Sequence, residues 1–129
     1  EALGAEPSHL FGGVDFMAVF ERQSQISAIE PDQAALKKLE RRGVIITAPG
    51  DEVDFVSRFF APKHDIPEDP VTGSAHCMLT PYWAHRLGKN QLRARQISPR
   101  GGNLDCALEG ERVRISGSAS EYLKGEISL

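Results

Sequence analysis

Residues Gly73 to Leu87 read as one helix whose apolar side chains do not keep to a single face. Ala75, Met78, Leu79, Tyr82, Trp83 and Leu87 project in several directions on a 3.6-residue period, so this helix is apolar over more of its circumference than a surface helix is. It needs cover on most sides, and a curved sheet wrapped around it supplies that cover. Pro81 removes one backbone donor and is expected to bend the helix, or to begin a new turn, near Thr80.

The rest of the chain is mostly strand-like. Val14, Phe16, Ala18 and Phe20 alternate with Asp15, Met17 and Val19, a strand with one face in the core and the other partly covered. Pro31 and Asp32 open a first helix in which Ala35, Leu36 and Leu39 share a face. It is expected to end at Gly43, after Lys37, Lys38, Arg41 and Arg42, whose charges suit the negative end of the helix dipole. Val44 to Thr47 is a short β-branched run, hence a buried strand, and Val53 to Phe60 is another, closed by Ala61-Pro62. Beyond Gly88, strand patterns centre on 92–97, 104–108, 112–116 and 121–129, with a tight hairpin at Glu109-Gly110-Glu111. The expectation is an α+β domain: a curved, largely antiparallel sheet around one central helix.

At 129 residues the chain suits a single domain spanning residues 1–129, with room for a real core. With 40% hydrophobic and 26% charged residues it has the composition of a water-soluble globular protein. Fifteen Lys and Arg against 18 Asp and Glu leave a net charge of −3, which argues against a general nucleic-acid footprint. No apolar run approaches the length of a membrane span and no signal-peptide pattern is present, so a cytoplasmic protein is the default. Cys77 and Cys106 do not make a disulfide framework, and a reducing compartment would keep both as thiols.

The run Glu68-Asp69-Pro70-Val71-Thr72-Gly73-Ser74-Ala75-His76-Cys77 sets an acidic turn directly before the start of the central helix. Free N–H groups at a helix start attract negative charge, and Gly73 and Ser74 have little side chain to block an approaching ligand. A carboxyl beside such a site is a candidate for a shifted pKa. The same residues also admit a purely architectural reading, because Thr or Ser before an apolar helix is an ordinary N-cap and Asp-Pro an ordinary turn former.

Several segments in a fixed order carry a wider resemblance: Asp54-Phe55-Val56-Ser57-Arg58-Phe59-Phe60-Ala61-Pro62, then Glu68 to Cys77, then Pro81-Tyr82-Trp83-Ala84, Leu87-Gly88-Lys89, Gln96-Ile97-Ser98 and Arg100-Gly101-Gly102. Together they resemble the C-terminal half of the PhzF-like family, named for a phenazine-biosynthesis enzyme and similar in fold to diaminopimelate epimerase. The resemblance runs over nearly the whole chain. It implies one lobe of a two-lobed enzyme in which the substrate lies between the starts of two facing central helices. The reaction implied is proton relocation next to a carboxylate or an enol (isomerisation, epimerisation or racemisation), with no metal and no organic cofactor. The phenazine label is a family name and does not assign a biosynthetic pathway.

By the resemblance, Asp69 matches the aspartate of the Glu-Asp-Pro turn, close to the transferred proton or its hydrogen-bond network. Gly73 and Ser74 match the small residues that contact substrate, with Thr72 beside them, and Glu68, Arg58 and His76 are supporting residues. The principal acid/base carboxylate belongs to the preceding lobe, none of whose residues is present. The chain opens at Glu1, not at a methionine, which reads as a cut or processed end. It is then either a piece of a longer protein or a one-domain member that finds its other half elsewhere, inactive alone. The implied partners are a small carboxylate-bearing metabolite and either a second copy, as a homodimer, or the missing lobe. A non-catalytic small-anion binding module and a structural homodimer are the alternatives from other classes.

His76 and Cys77 are adjacent, so their side chains point about 100 degrees apart and do not converge on one ion. A packed cysteine and a hydrogen-bonded core histidine are expected. His64 is expected to be exposed, and Asp65 to tolerate a left-handed backbone where the family usually has a glycine. Arg58 either orients Asp69 or Glu68 or lies on the sheet surface. The arginines at 93, 95, 100, 112 and 114 form a basic edge or, for most of them, solvated strand faces.

Overall fold

The computed structural model describes residues 1–128. Seven strands form an open sheet in chain order: β1 (His9–Gly12), β2 (Phe16–Val19), β3 (Val44–Pro49), β4 (Phe55–Phe60), β5 (Gln91–Gln96), β6 (Gly102–Glu109) and β7 (Arg112–Ser116). The pairs β2/β3 and β4/β5 are parallel and the other four antiparallel, which makes the sheet largely antiparallel.

Each parallel pair needs a crossover. Between β2 and β3 it contains two short helices, α1 (Gln23–Ser27) and α2 (Gln33–Lys37); between β4 and β5 it contains α3 (Gly73–Leu87). The two pairs run in opposite directions while the strand order advances the same way, so crossovers of one hand must cover opposite faces. They do. Ala18, Val44, Ile46, Val56 and Phe60 meet Ile26 of α1 and Leu36 of α2 on one face. Their alternating neighbours Met17, Val19, Ile45, Phe55 and Phe59 meet Ala75, Leu79 and Trp83 of α3 on the other. Double coverage explains why β2 to β4 read as near-continuous apolar runs.

The α3 cluster also takes Leu92 and Ala94 of β5, Leu104 and Cys106 of β6 and, partly buried, Ile115 of β7. Six strands spaced about 4.8 Å apart are far wider than one helix about 10 Å across. The sheet therefore curves around α3, as the helix composition demands.

In the helices, three details differ from the sequence expectation. Helix α3 is continuous through Pro81, which lies on the exposed side of the helix, so the backbone acceptor left without a donor is on the solvent face. Gly73, Ser74, Cys77, Pro81 and His85 form that exposed stripe, and Leu87 is exposed as well, so α3 is covered on most of its circumference but not all. The first predicted helix is real, capped by Asp32 through the amides of Ala34 and Ala35, but it ends at Lys37. Gly43 instead lies against Phe59, whose ring would be 2.6 Å from an added Cβ.

Helix α1 and strand β1 carry little apolar periodicity. Ile26 is the buried residue of α1, and β1 is an exposed edge strand. The strand expected at 121–129 does not form over 121–128, where Tyr122, Leu123 and Ile127 stand exposed without a neighbouring strand; Leu129 lies outside the described residues.

Candidate functional site

The acidic turn crosses from the end of β4 to the start of α3. Its geometry begins with Asp69-Pro70, where the proline ring holds the preceding residue extended. The Asp69 amide donates to Phe59 O at 2.9 Å, which ties the turn to β4. Thr72 occupies the N-cap of α3 with extended backbone angles, φ −116° and ψ 101°, yet its side chain does not cap the helix. The hydroxyl donates to the Asp69 carboxylate instead. The first-turn amides of α3 are consequently left uncapped by Thr72, and a Cβ added at Gly73 would meet nothing within 4 Å. The helix start is open at Gly73, and the half-buried Asp69 carboxylate is held by the hydroxyl of the N-cap residue Thr72.

Gln96 clamps this turn. Its fully buried side chain accepts from the Thr72 amide (2.8 Å) and donates to Asp69 O (2.7 Å) and Thr72 Oγ1 (3.1 Å). Ser98 Oγ donates to Pro70 O at 2.7 Å and accepts from the Gly101 amide at 3.0 Å. At Gly102 a Cβ would lie 2.4 Å from Val71 Cγ2, so glycine is what lets β6 approach the turn.

Glu68 is not beside the helix start. It pairs with Arg58, Nε to Oε1 at 2.7 Å and Nη2 to Oε2 at 2.9 Å, in a two-pronged contact that is largely shielded from water. Arg58 Nη1 also donates to the carbonyls of Ile26 (2.9 Å) and Ile29 (2.7 Å), so Arg58 fastens the end of α1 to the acidic turn and orients Glu68, not Asp69.

His76 lies beneath the helix start with no exposed surface. Its Nδ1 is 2.8 Å from Thr72 O and its ring 5.9 Å from that of Phe55, while Nε2 has no hydrogen-bond partner. Nδ1–H donates to the carbonyl, and burial pushes the His76 pKa below the ordinary 6.5 against the opposing pull of the Thr72 carbonyl. The unfolded chain therefore binds the proton more readily than the folded one. Stability is complete above about pH 6.5 and is lost as pH falls toward the depressed folded value, by about 1.4 kcal/mol per unit of depression. Urea unfolding at pH 7.5, 6.5 and 5.5 checks this: the decline on acidification should flatten in His76→Asn, and an unchanged slope removes His76 as its source.

Cys77 corrects the sequence reading: it is exposed on the open stripe of α3, because that side of the helix has no covering sheet. Cys106 is the packed thiol, and burial pushes its pKa up. His64 is exposed and Asp65 adopts the left-handed backbone, φ 58°. Of the strand arginines, Arg95 meets Glu52 (3.7 Å), Arg114 meets Glu109 (2.8 Å) and the Arg93 amide meets Asp54 (2.7 Å). Acidic neighbours thus break up the basic edge. Among the described residues, no three His, Cys, Asp or Glu side chains are placed to hold a metal ion, and no helix is long and apolar enough to cross a membrane.

Four further residues contact the turn or the helix start: Gln96 and Ser98 hold the turn, and Arg42, paired with the buried Asp15, donates to Ser74. Gln96 shares the buried face of β5 with Leu92 and Ala94, and a polar side chain at an apolar register position is the signal that could have found it. Asp15, an acid inside an apolar alternation, carried the same signal. Arg42 carried none, since an arginine after a helix is ordinary, and Ser98 stood out only as part of the Gln96-Ile97-Ser98 segment of the family resemblance.

The fold is an α+β one, an open and mostly antiparallel sheet packed on a helix whose start Thr72 leaves uncapped. The family model for phenazine biosynthesis-like proteins matches residues 7–125, and the chain belongs to that family. An uncharacterized isomerase of Pseudomonas aeruginosa is 53% identical over 130 residues, covering 100% of this chain and 50% of that protein. The crystal structure of a PhzF-family phenazine biosynthesis protein of Enterococcus faecalis superposes with a TM-score of 0.91 at 49% identity, covering 99% of this chain and 50% of the other. A PhzC/PhzF protein of Clostridium difficile gives 0.88 at 42%, covering 98% and 49%. The chain spans about half the length of these relatives.

Proposed function

We propose that this chain is the C-terminal lobe of a cofactor-independent isomerase that relocates a proton on a small carboxylate-bearing substrate. The observation that carries the reading is the diversion of the Thr72 hydroxyl to Asp69, which leaves the start of α3 without a side-chain cap and open at Gly73. Partial positive charge at those amides can hold a carboxylate and stabilise negative charge as it builds on the substrate oxygens. Asp69 then sits beside the bound anion as a member of the proton-transfer network, its orientation set by Thr72 and Gln96. Moving a proton off carbon and back requires an opposed acid and base. One lobe supplies one side, so the second carboxylate comes from an opposite lobe, and the chain by itself is inactive. The names of its isomerase relatives support the reaction class.

Supplying a matching N-terminal lobe should restore isotope exchange at the substrate carbon, and Asp69→Asn should then lower the exchange rate by about 10²–10⁴. Exchange restored in full with the substitution present removes Asp69 from the mechanism. Leu10 and Val14, 63% and 68% exposed, with Phe11 beside them form an apolar edge that a second copy could cover. Light scattering over a range of concentrations distinguishes a self-associating chain from a monomer.

A further inference from the structure

One charged group reaches the start of α3 from outside the acidic turn. Asp15, between β1 and β2, has no exposed surface, and Arg42, from the segment ahead of β3, grips its carboxylate: Nε to Oδ1 at 3.0 Å and Nη2 to Oδ2 at 2.5 Å. Nη2 also donates to Ser74 Oγ at 3.0 Å. The Phe59 ring lies 5.6 Å from the guanidinium carbon, which restrains a face of the group as Asp15 restrains an edge. The hydrogen bond to Asp15 raises the Arg42 pKa and keeps the cation charged. The Arg42 side chain is nonetheless 39% exposed, so a fixed positive charge stands at the surface beside Ser74.

Burying a carboxylate costs several kcal/mol, and an apolar pair of similar volume is often no less stable. What the apolar pair cannot do is aim a guanidinium. A hydroxyl has one hydrogen and two lone pairs; once Ser74 Oγ accepts from Arg42, its own proton must point elsewhere. Ser74 is exposed, and Thr72 leaves the first-turn amides of α3 without a side-chain cap.

We propose that Arg42, clamped by Asp15, is a positioning residue of the carboxylate site at the start of α3: it turns the Ser74 hydroxyl into a donor toward the bound carboxylate and holds a fixed cation one hydrogen bond behind it. This rests on the carboxylate-binding reading above and adds the group that orients Ser74. Arg42 touches Ser74 and not the reacting atoms, so its effect must pass through Ser74. That requirement makes it separable from a merely architectural ion pair.

The test is a titration of the chain with acetate, malonate and benzoate against chloride at constant ionic strength, following the amide resonances of Gly73, Ser74 and Ala75. Ser74→Ala and Arg42→Gln should each weaken the carboxylate response about tenfold, the size of one charge-assisted hydrogen bond. The double substitution should be little weaker than either single one, because both remove the same donor. Arg42→Gln alone leaves Asp15 buried without a partner, so Asp15→Asn with Arg42→Gln, which leaves no unpaired charge, is the companion variant and should show the same loss. A carboxylate response unchanged in that companion, or single losses that simply multiply, overturns the role of Arg42 while leaving the carboxylate site intact. If carboxylates move these amides no more than chloride does in the unsubstituted chain, the binding reading falls and the role of Arg42 falls with it.

Discussion

Trp83→Ala is expected to lower the unfolding free energy by about 3–5 kcal/mol, as deletion of a buried aromatic side chain does. That is a large share of the total stability of a domain of this size. Trp83 is 1% exposed and stands where the sheet closes on α3. Its ring stacks on Phe55 at 5.7 Å with the planes 4° apart, meets Tyr82 edge-on at 5.2 Å, and donates from Nε1 to Thr47 Oγ1 at 3.0 Å. The Thr47 hydroxyl donates onward to Val56 O at 2.7 Å, so the indole joins α3 to two neighbouring strands. Removing it leaves a large cavity and takes a donor from a buried oxygen. Trp83→Phe keeps most of the apolar volume and should cost about 1–2 kcal/mol, mainly the lost hydrogen bond and the smaller ring. Urea unfolding of both variants measures the difference. A Trp83→Ala loss below about 1 kcal/mol would mean that the sheet does not depend on its helix for cover.

Gln96→Leu should be the most damaging substitution at the candidate site, with a loss of about 3 kcal/mol from three hydrogen bonds and two buried backbone groups left without partners. The leucine has nearly the same volume, so the effect isolates the polar contacts. The functional consequence follows from position: Gln96 holds both the carbonyl of Asp69 and the amide of Thr72. Its loss frees the turn that points the Asp69 carboxylate and keeps Thr72 from capping the helix. Carboxylate binding at Gly73 and Ser74 should weaken more than tenfold, even below the denaturant midpoint where the fold persists. Gln96→Glu keeps the acceptor for Thr72 but loses the donor to Asp69, and should fall between the two. A Gln96→Leu chain with unaltered stability and binding would show that the turn holds its own shape.

The fold was legible because its governing signals are local. A helix from Gly73 that is apolar over most of its circumference, with Gly88 in the left-handed conformation at its end (φ 67°), needs no knowledge of the neighbours to be recognised. The hairpin at Gly110, φ 61°, and the alternation of β5 to β7 are equally local. The early end of α2 was not legible, because Arg41 and Arg42 are good helix residues by propensity. Arg42 leaves the helix for Asp15, 27 positions earlier in the chain, and the fold wins that competition because a buried carboxylate without its cation is far more costly than a lost helical turn. β1 and α1 escaped notice for the opposite reason: they are held by the sheet edge and by Arg58, not by a periodic pattern of their own. The apolar alternation past residue 120 had the pattern but found no strand to pair with.

The residues of the acidic turn could be named from their order, and so could the helix start that follows them. Whether Thr72 caps that helix or turns away to Asp69, and whether Cys77 or Cys106 is the buried thiol, depended on which groups the sheet brings near. Order along the chain specifies covalent neighbours and periodic faces. Hydrogen-bond partners such as Gln96 for Asp69, or Arg42 for Ser74, lie tens of residues apart and become neighbours only when the open sheet has packed onto α3.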